Sequence, residues 1–330
     1  MTAQSGTWVW AEERSAVGAL RKAALDLARA AKFSEVRTEQ LVIAVSEATS
    51  NLVKHAVEGV VLVRPHPERP DVIEYVSIDR GPGFADLGRA LRDGYSTAGT
   101  LGVGLGAISR LASGYDIYSV PGKGTVLTMH FSPDDVPVSP LRASGLTRPI
   151  GEEMVCGDAY AAVETDDLIT VALCDGLGHG PAAAEASAEA MEIFRRAAHL
   201  PPGEILTRVH EGIGHTRGGA LAIARIGRAA VTYAGIGNVA GWIISEGARR
   251  GLTSMPGIAG HQSRTPREFG YDLPRNATVV LHSDGLTSRW NPATVPGLFA
   301  RSPSVISAAL LREAGSRRDD ACVVAVKAAS

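Results

Sequence analysis

The sequence predicts an α/β protein of two domains, on three observations. The chain has 330 residues, which is long for a single domain. Helical periodicity dominates residues 15–58, whereas short apolar strand-like runs separated by turns dominate after residue 157. Between these regions, residues 132–149 contain four prolines and no helical period. We therefore expect domains at residues 10–132 and 150–328, joined by a linker at residues 133–149.

Composition narrows the classes of function. The chain carries 33 basic and 35 acidic side chains, a formal net charge of −2, so no basic excess marks it for nucleic acid or an anionic membrane. Its longest apolar runs, such as Leu168–Cys174, are far below the roughly 20 residues of a membrane-spanning helix. The three cysteines match no metal-binding spacing and are interpreted as buried thiols. These features favour a cytoplasmic protein.

In the first half we expect two helices, a strand, a glycine-rich loop, a third helix and a hairpin. The predicted ranges are Ser15–Lys32, Thr38–Ala56, Asp71–Ile78, Gly81–Gly104, Leu105–Ala112, Tyr115–Val120 and Thr125–Phe131. In the second half we expect mostly strands, with one alanine-rich helix. These ranges are Gly157–Val163, Leu168–Asp175, Pro181–Ala198, Ala220–Arg225, Ala229–Ala234, Gly241–Ile244, Thr278–His282 and Ala321–Lys327.

Three short motifs in the first half fit together as an ATP-binding site. Glu47 and Asn51 are four residues apart and share one face of a helix. Asp79, Gly81 and Gly83 follow a strand, and Gly102, Gly104 and Gly106 enter a helix. A glycine loop at a helix N-terminus can bind phosphate, an asparagine can ligate Mg²⁺, and a glutamate can accept a proton. Taken singly, each motif is more typical of a solvated pair or an ordinary turn.

The order of these motifs over residues 10–132 resembles the GHKL ATPase family, and within it the bacterial anti-sigma-factor and stress-switch serine kinases. The resemblance implies an α/β sandwich with helices on one face of a mixed sheet. It implies that Glu47 is the general base, Asn51 the Mg²⁺ ligand and Asp79 the adenine-binding residue, with Gly81 and Gly83 beside it. It further implies that Thr125 lies near the base and that Gly102, Gly104 and Gly106 cover the phosphates.

The second half contains aspartates at the ends of predicted strands. They are Asp158, Asp175, Asp284 and the pair Asp319 and Asp320. Each alone is typical of a turn. Because Asp175, Asp284 and Asp319 border strongly apolar strands, we expect them to converge on one sheet end. Converging carboxylates repel one another unless a cation neutralises them, and hard divalent ions prefer oxygen ligands. Two such ions about 3.5–4 Å apart can activate water for attack on a phosphate ester.

The aspartates, together with the stretches CDGLGHGPAAA, TRGGALAIARI, GIGNV and RRDDACVVAV, resemble the PPM-class serine/threonine phosphatases of the SpoIIE branch. The resemblance covers residues 151–327 and implies an α-β-β-α sandwich. It implies that Asp175 bridges two metals, that Asp158 and the Gly176 carbonyl bind one of them, and that Asp284 and Asp319 bind the other. Asp320 carries less weight because relatives often have asparagine there. Leu177 replaces the usual histidine, and the role of His179 stays open between acid catalysis and a structural function.

Together the resemblances imply a regulator of a bacterial partner-switching pathway, using ATP with Mg²⁺ in one domain and two Mn²⁺ or Mg²⁺ ions in the other. The implied partner is a phosphorylated anti-sigma-factor antagonist of the STAS type or a related switch protein, and a homodimer is compatible with the first domain. Two alternatives remain open: a phosphatase whose ATP-binding domain only senses or docks, and a binding protein without turnover. Substitution of Glu47 separates the kinase from the sensor.

Overall fold

The computed structural model describes residues 6–90, 104–134, 142–151, 153–165, 167–261 and 266–328. The described residues up to 134 form one compact unit and those from 142 onward form another. Each unit has its own sheets and its own apolar core. The expectation of two domains thus agrees with the fold. Among the described helices, none is both long enough and apolar enough to cross a bilayer.

The first unit is built on a five-stranded sheet. Its strands are β1 (Trp8–Trp10), β2 (Val60–His66), β3 (Arg69–Ile78), β4 (Gly114–Val120) and β5 (Gly124–Phe131), in the order β1-β2-β3-β5-β4. Every described strand pair is antiparallel, so the expectation of a mixed sheet was wrong. The reason is that β5 lies between β3 and β4. These two strands run in the same direction but are not neighbours.

Helices cover one face of this sheet, as predicted. They are α1 (Arg14–Ala30), α2 (Glu35–His55), α3 (Leu87–Ala90) and α4 (Gly104–Leu111). Helix α2 begins at Ser34, whose side chain accepts a hydrogen bond from the Arg37 N–H at 3.2 Å. Apolar residues of α2 such as Leu41 and Val45 pack with Tyr75 and Met129 of the sheet in one buried core. Burial of this helical stripe stabilises α2 on the sheet.

The second unit contains two five-stranded antiparallel sheets. Their strands are β6 (Ala143–Arg148), β7 (Asp158–Glu164), β8 (Ile169–Gly176), β9 (Gly219–Ile226), β10 (Ala230–Ile236), β11 (Ala240–Ser245), β12 (Ala248–Leu252), β13 (Phe269–Asp272), β14 (Thr278–His282) and β15 (Ala321–Lys327). The first sheet has the order β13-β10-β9-β8-β7 and the second has the order β12-β11-β14-β15-β6. Buried residues of both sheets, among them Tyr160, Leu173, Val279 and Val324, form one core.

Helices flank the two sheets and complete the α-β-β-α sandwich, which confirms the predicted fold. They are α5 (Pro181–Ala197), α6 (Pro202–Gly212) and α7 (Pro303–Ala314). Helices α5 and α6 pack on the first sheet through residues such as Phe194 and Leu206. Helix α7 packs on β6 and β15 of the second sheet. Two turns of 3₁₀ helix, Pro292–Thr294 and Leu298–Ala300, precede α7.

Strand β6 lies inside the stretch that the sequence assigns to the linker. That assignment was wrong for Ala143–Arg148, which pairs with β15 as the edge of the second sheet. The strand escapes recognition because its residues are mostly small. Small side chains are needed there, since Ser304 and Ser307 of α7 hydrogen-bond to Ser144 at 3.0 and 2.9 Å. The close packing of α7 on β6 therefore requires small side chains, and the apolar run by which a strand is usually recognised is absent.

Candidate active sites

Four carboxylates meet at one end of the β-sandwich in the second unit. Asp158 begins β7 and Asp175 lies near the end of β8, both in the first sheet. Asp284 follows β14 and Asp319 precedes β15, both in the second sheet. Asp175, Asp284 and Asp319 line one pocket, together with Asn238 and the turn Leu177–Gly178. The expected convergence therefore takes place, but on the ends of two sheets rather than one.

Burial, together with repulsion between neighbouring carboxylates, raises the pKa of three of these aspartates. Asp158 and Asp175 are directly opposite residues of neighbouring strands. Burial, and then the charges of Asp284 and Asp319, raise the pKa of Asp175 to about 7. Burial, followed by the Asp175 charge, raises the pKa of Asp158 well above its usual range. The pKa of Asp284 is also raised, by burial and then by the Asp319 charge. Ionising these buried carboxylates close together costs free energy, and a bound cation would remove that cost.

Two carboxylate oxygens without hydrogen-bond partners also indicate that this site suits a cation. The Oδ2 atoms of Asp158 and Asp175 are buried and have no hydrogen-bond partner among the described residues. A buried carboxylate oxygen left without a partner is costly, and Mg²⁺ or Mn²⁺ prefers such oxygen ligands. Asp284 is held by the Asn238 amide, which donates to its Oδ2. The donor set therefore fits hard divalent ions.

Asp320 serves a different purpose from its neighbour Asp319. Its two carboxylate oxygens accept hydrogen bonds from the N–H groups of Ile150 and Gly157, each at 2.8 Å. Asp320 is 3% exposed, whereas Asp319 is exposed and lines the pocket. The lower weight that the sequence gives to Asp320 is consistent with this arrangement, because its carboxylate positions the segment that leads into Asp158.

Two glycine turns give the pocket its shape. At Gly176 an added β-carbon would lie 2.3 Å from the Ala183 carbonyl oxygen and 2.7 Å from that of Gly157, so only glycine fits. Gly178 and Gly180 have φ values of +86° and +76°, which also favour glycine. Between them, His179 Nδ1 lies 3.4 Å from Glu153 Oε1. His179 therefore contacts the loop that leads into Asp158, and it is not among the residues that line the acidic pocket.

In the first unit the end of α2, the loop after β3 and the β4–β5 hairpin lie together. The Arg80 N–H donates to the Val57 carbonyl at 2.8 Å, and Gly122 N–H donates to the Pro82 carbonyl at 2.7 Å. The Asp79 carboxylate accepts from the N–H groups of Gly81 at 2.7 Å and Thr125 at 3.2 Å. These bonds fix Asp79 where the three elements meet.

The other predicted residues of this unit that the structure describes lie on α2, on α4, in the loop after β3 and in the β4–β5 hairpin. Glu47 and Asn51 stand one turn apart on α2 and both are partly exposed. The Thr125 hydroxyl lies 3.0 Å from the Ser119 hydroxyl. Gly83 has a φ of +66°, and an added β-carbon would lie 2.4 Å from the Val120 carbonyl oxygen. Gly104 and Gly106 lie in the first turn of α4, whereas Gly102 lies outside the described residues.

A buried polar cluster lies on the outer face of the first sheet. His66, Glu74 and His130 offer possible ligand atoms within 4.8 Å of one another. Glu74 Oε2, however, already accepts from Arg64 at 2.8 Å. His66 Nδ1 accepts from the Glu68 N–H at 3.2 Å, which leaves the proton of the neutral ring on Nε2. Because Glu74 Oε2 and His66 Nδ1 are already engaged within the protein, we interpret this cluster as a structural ion pair with two histidines beside it.

Sequence reasoning missed two polar residues: Asn238, which lines the acidic pocket, and Arg217, which lies beside a glycine that lines it. Asn238 stands in GIGNV, and its neighbour Gly237 has a φ of +87° that turns the chain toward the pocket. Arg217 stands in TRGG, and its guanidinium passes close to Gly178. In both stretches, a polar residue next to glycine was the signal by which the sequence could have revealed the residue. Only the tertiary structure brings Asn238 to Asp284.

Fold and site together define a two-unit protein, with a GHKL-type ATPase fold followed by a PPM-type serine/threonine phosphatase domain. Residues 9–131 match the histidine kinase-like ATPase domain. Residues 165–329, half of the chain, match Stage II sporulation protein E (SpoIIE). The chain therefore belongs to the SpoIIE family and carries an ATPase domain of the histidine kinase-like type before the phosphatase domain.

Two proteins of Bacillus subtilis (strain 168) resemble the two halves. The serine/threonine-protein kinase RsbT is 31% identical over 108 residues, 32% of this chain and 81% of RsbT. The phosphoserine phosphatase RsbX is 27% identical over 173 residues, 50% of this chain and 84% of RsbX. The chain thus has the domain architecture of a partner-switching regulator, with a kinase-like and a phosphatase domain in one polypeptide.

Solved structures share the fold over more than half of the chain. A structure from work on the bacterial stressosome superposes with a TM-score of 0.53 at 25% identity, covering 57% of this chain and 99% of the other. RsbX in complex with magnesium superposes with a TM-score of 0.51 at 22% identity, covering 58% of this chain and 97% of the other. The second likeness concerns the fold alone.

Proposed function

We propose that the second unit hydrolyses phosphoserine or phosphothreonine in a protein substrate and depends on Mn²⁺ or Mg²⁺. The observation that carries this proposal is the convergence of Asp158, Asp175, Asp284 and Asp319, with two buried oxygens that lack a partner. Opposed carboxylates of this kind are stabilised by divalent cations. A phosphatase domain of the SpoIIE family supplies the reaction class.

The roles within the site are part of this proposal. Asp175 would contact both ions, Asp158 and the Gly176 carbonyl would hold one of them, and Asp284 and Asp319 would hold the other. When bound, the ions supply an activated water for in-line attack on the phosphate ester. The chain's own contribution is to hold the carboxylates in place: the Asn238 amide orients Asp284, and Asp320 fixes the segment before Asp158.

The first unit, in our proposal, binds ATP with Mg²⁺ and phosphorylates serine in the partner protein. Asn51 would ligate Mg²⁺, Glu47 would accept the proton of the incoming hydroxyl, and Asp79 would bind adenine. Gly81, Gly83 and Thr125 would line the nucleotide site, and Gly102, Gly104 and Gly106 would cover the phosphates. The fixed position of Asp79, with hydrogen bonds from Gly81 and Thr125, supports this assignment.

We infer that the partner is a STAS-type antagonist of an anti-sigma factor or a related switch protein, in the cytoplasm. The relatives of the two halves are a kinase and a phosphatase with opposing chemistry. Opposing activities in one chain suit a protein that sets the phosphorylation state of one partner. The free thiols of Cys156, Cys174 and Cys322 are consistent with a reducing compartment. A homodimer through the first unit belongs to the same proposal.

The phosphatase is tested by phosphate release from a STAS-type antagonist phosphorylated on serine, with Mn²⁺ and the full-length protein. We expect metal-dependent release by the wild type and a loss of at least about 100-fold in Asp175→Asn, because a bridging ligand is removed. Asp272→Asn, at an exposed aspartate outside the pocket, is the matched control. Equal release by wild type and Asp175→Asn would refute the assignment of the site.

A separate experiment distinguishes a kinase from an ATP sensor. Glu47→Gln removes the proposed base, so transfer of phosphate from ATP to the antagonist should stop while nucleotide binding remains. Glu39→Gln, at an exposed glutamate of the same helix, is the control. If the wild type binds ATP but phosphorylates nothing, the first unit is a sensor or docking domain.

A further inference from the structure

The segment that contains Arg217 leads directly into β9, whose first residues line the acidic pocket. The Leu177 N–H donates to the Gly218 carbonyl at 3.0 Å, which joins this segment to the turn after β8. Gly218 has a φ of +69°, and its N–H donates to the Thr216 hydroxyl at 3.0 Å. Gly219, the next residue, lines the pocket. The backbone on both sides of Arg217 is therefore held in place.

The Arg217 guanidinium lies beside Gly178, a residue that lines the pocket. A β-carbon added at Gly178, which lines the pocket, would lie 3.2 Å from Arg217 Nη1. A side chain at position 178 would crowd the guanidinium, so glycine leaves its flank open.

Arg217 is exposed, and no hydrogen bond or ion pair joins it to another described residue. The histidines on either side differ in this respect, since His215 Nε2 lies 3.0 Å from Glu189 Oε2 and His179 Nδ1 lies 3.4 Å from Glu153 Oε1. A guanidinium without a counter-ion beside the pocket can bind an anion that enters it. The guanidinium is suited to this, because its planar set of N–H donors matches the oxygens of a phosphate group.

We propose that Arg217 is the phosphate-binding residue of this phosphatase domain. It donates hydrogen bonds to oxygens of the substrate's phosphate group, and after hydrolysis to those of inorganic phosphate. The proposal rests on the function proposed above for the acidic pocket. It names a substrate-binding side chain that the sequence did not mark, since no arginine stands out for phosphate binding in the motifs themselves.

The competing arginines are Arg317 and Arg318, which lie in the turn before Asp319 and are also exposed. They approach the site from the second sheet, whereas Arg217 precedes β9 of the first. Arg318→Ala therefore serves as the comparison variant. Arg208→Ala, at an exposed arginine of α6, serves as the control for loss of a surface charge.

The experiment measures binding of inorganic phosphate to the full-length protein in the presence of Mn²⁺, by calorimetry and by competitive inhibition. We expect Arg217→Ala to weaken phosphate binding by roughly 10-fold or more, the range for loss of a hydrogen bond to a charged group. Arg217→Lys should lie in between, because it keeps the charge but not the paired donors. With phosphoprotein substrate, KM should rise more than kcat falls, and Mn²⁺ affinity should stay unchanged.

Other results of the same experiments would contradict the proposed role of Arg217. Wild-type phosphate affinity in Arg217→Ala, or a loss of affinity in Arg318→Ala alone, would overturn the proposal. Loss of Mn²⁺ binding in Arg217→Ala would also overturn it, since the arginine would then support the carboxylates. If the wild type binds phosphate through Arg217 but releases none from any phosphoprotein, the proposed function fails while the binding role stands.

Discussion

Asp158 and Asp175 are directly opposite residues on the antiparallel strands β7 and β8, and each has a buried Oδ2 without a partner. In the protein without metal, both pKa values are raised above their unfolded values, that of Asp175 to about 7. A raised carboxyl pKa costs no stability below the unfolded value of about 4. Stability is then lost as the pH rises from there through the folded value.

We therefore expect EDTA-treated protein to lose thermal stability between pH 5 and pH 8, and Mn²⁺ to stabilise it more at pH 8 than at pH 5. Thermal unfolding at both pH values, with and without Mn²⁺, measures this. In Asp175→Asn the loss should be smaller, because one of the two opposed charges is gone. An equal loss in wild type and variant would contradict the prediction.

The neighbours Asp319 and Asp320 should respond differently to the same substitution. Asp319→Asn removes a carboxylate from the pocket and should lower Mn²⁺ affinity and phosphatase activity with little change in melting temperature. Asp320→Asn weakens the hydrogen bonds from Ile150 and Gly157, so it should lower stability by about 1–3 kcal/mol. Denaturation and Mn²⁺ titration of both variants test this. The pattern is refuted if Asp319→Asn is the less stable of the two.

Two glycines of the β4–β5 hairpin provide a matched pair for the first unit. Gly122 and Gly124 have φ values of +76° and +86°, so alanine strains the backbone at either position. At Gly124 the added β-carbon would also lie 2.1 Å from the Asp79 carbonyl oxygen, while at Gly122 no atom lies within 4 Å. We expect Gly124→Ala to weaken ATP binding far more than Gly122→Ala, as measured with a fluorescent ATP analogue. Similar affinities in the two variants would argue against Asp79 as a nucleotide-binding residue.

The buried pair of Arg64 and Glu74 gives a prediction about stability. The Arg64 charge holds the pKa of Glu74 far below its usual range against the opposing effect of burial. Glu74→Gln leaves a buried guanidinium without its counter-charge and should cost about 3–5 kcal/mol. Replacing both residues by methionine should cost less than the single change. Urea unfolding of both variants at pH 7 tests this, and a milder effect of Glu74→Gln would contradict it.

Long amphipathic helices and continuous apolar strands could be predicted from the sequence. Helix α2 was expected at Thr38–Ala56 and spans Glu35–His55, and β15 was expected at Ala321–Lys327 and spans that range. Elements made of mixed or small residues were missed, including β6, α6 and α7, and β2 was missed although Val60–Val63 is a continuous apolar run. In α7, Ser304 and Ser307 interrupt the apolar pattern, although nearly the whole helix is buried. Burial on several sides removes the periodic contrast by which a surface helix is recognised.

The order of residue types along the chain was enough to predict the two-domain α/β class, the family and the four aspartates that meet at one end of the β-sandwich. Each motif consists of residues that are close together in the chain, so the motifs and their order can be recognised without the structure. The tertiary structure decided which residues meet across long separations. It brought Asn238 to Asp284, gave Asp320 its backbone partners and laid Arg217 beside Gly178. Contacts of this kind follow from strand pairing and turn geometry, and residue spacing does not encode them.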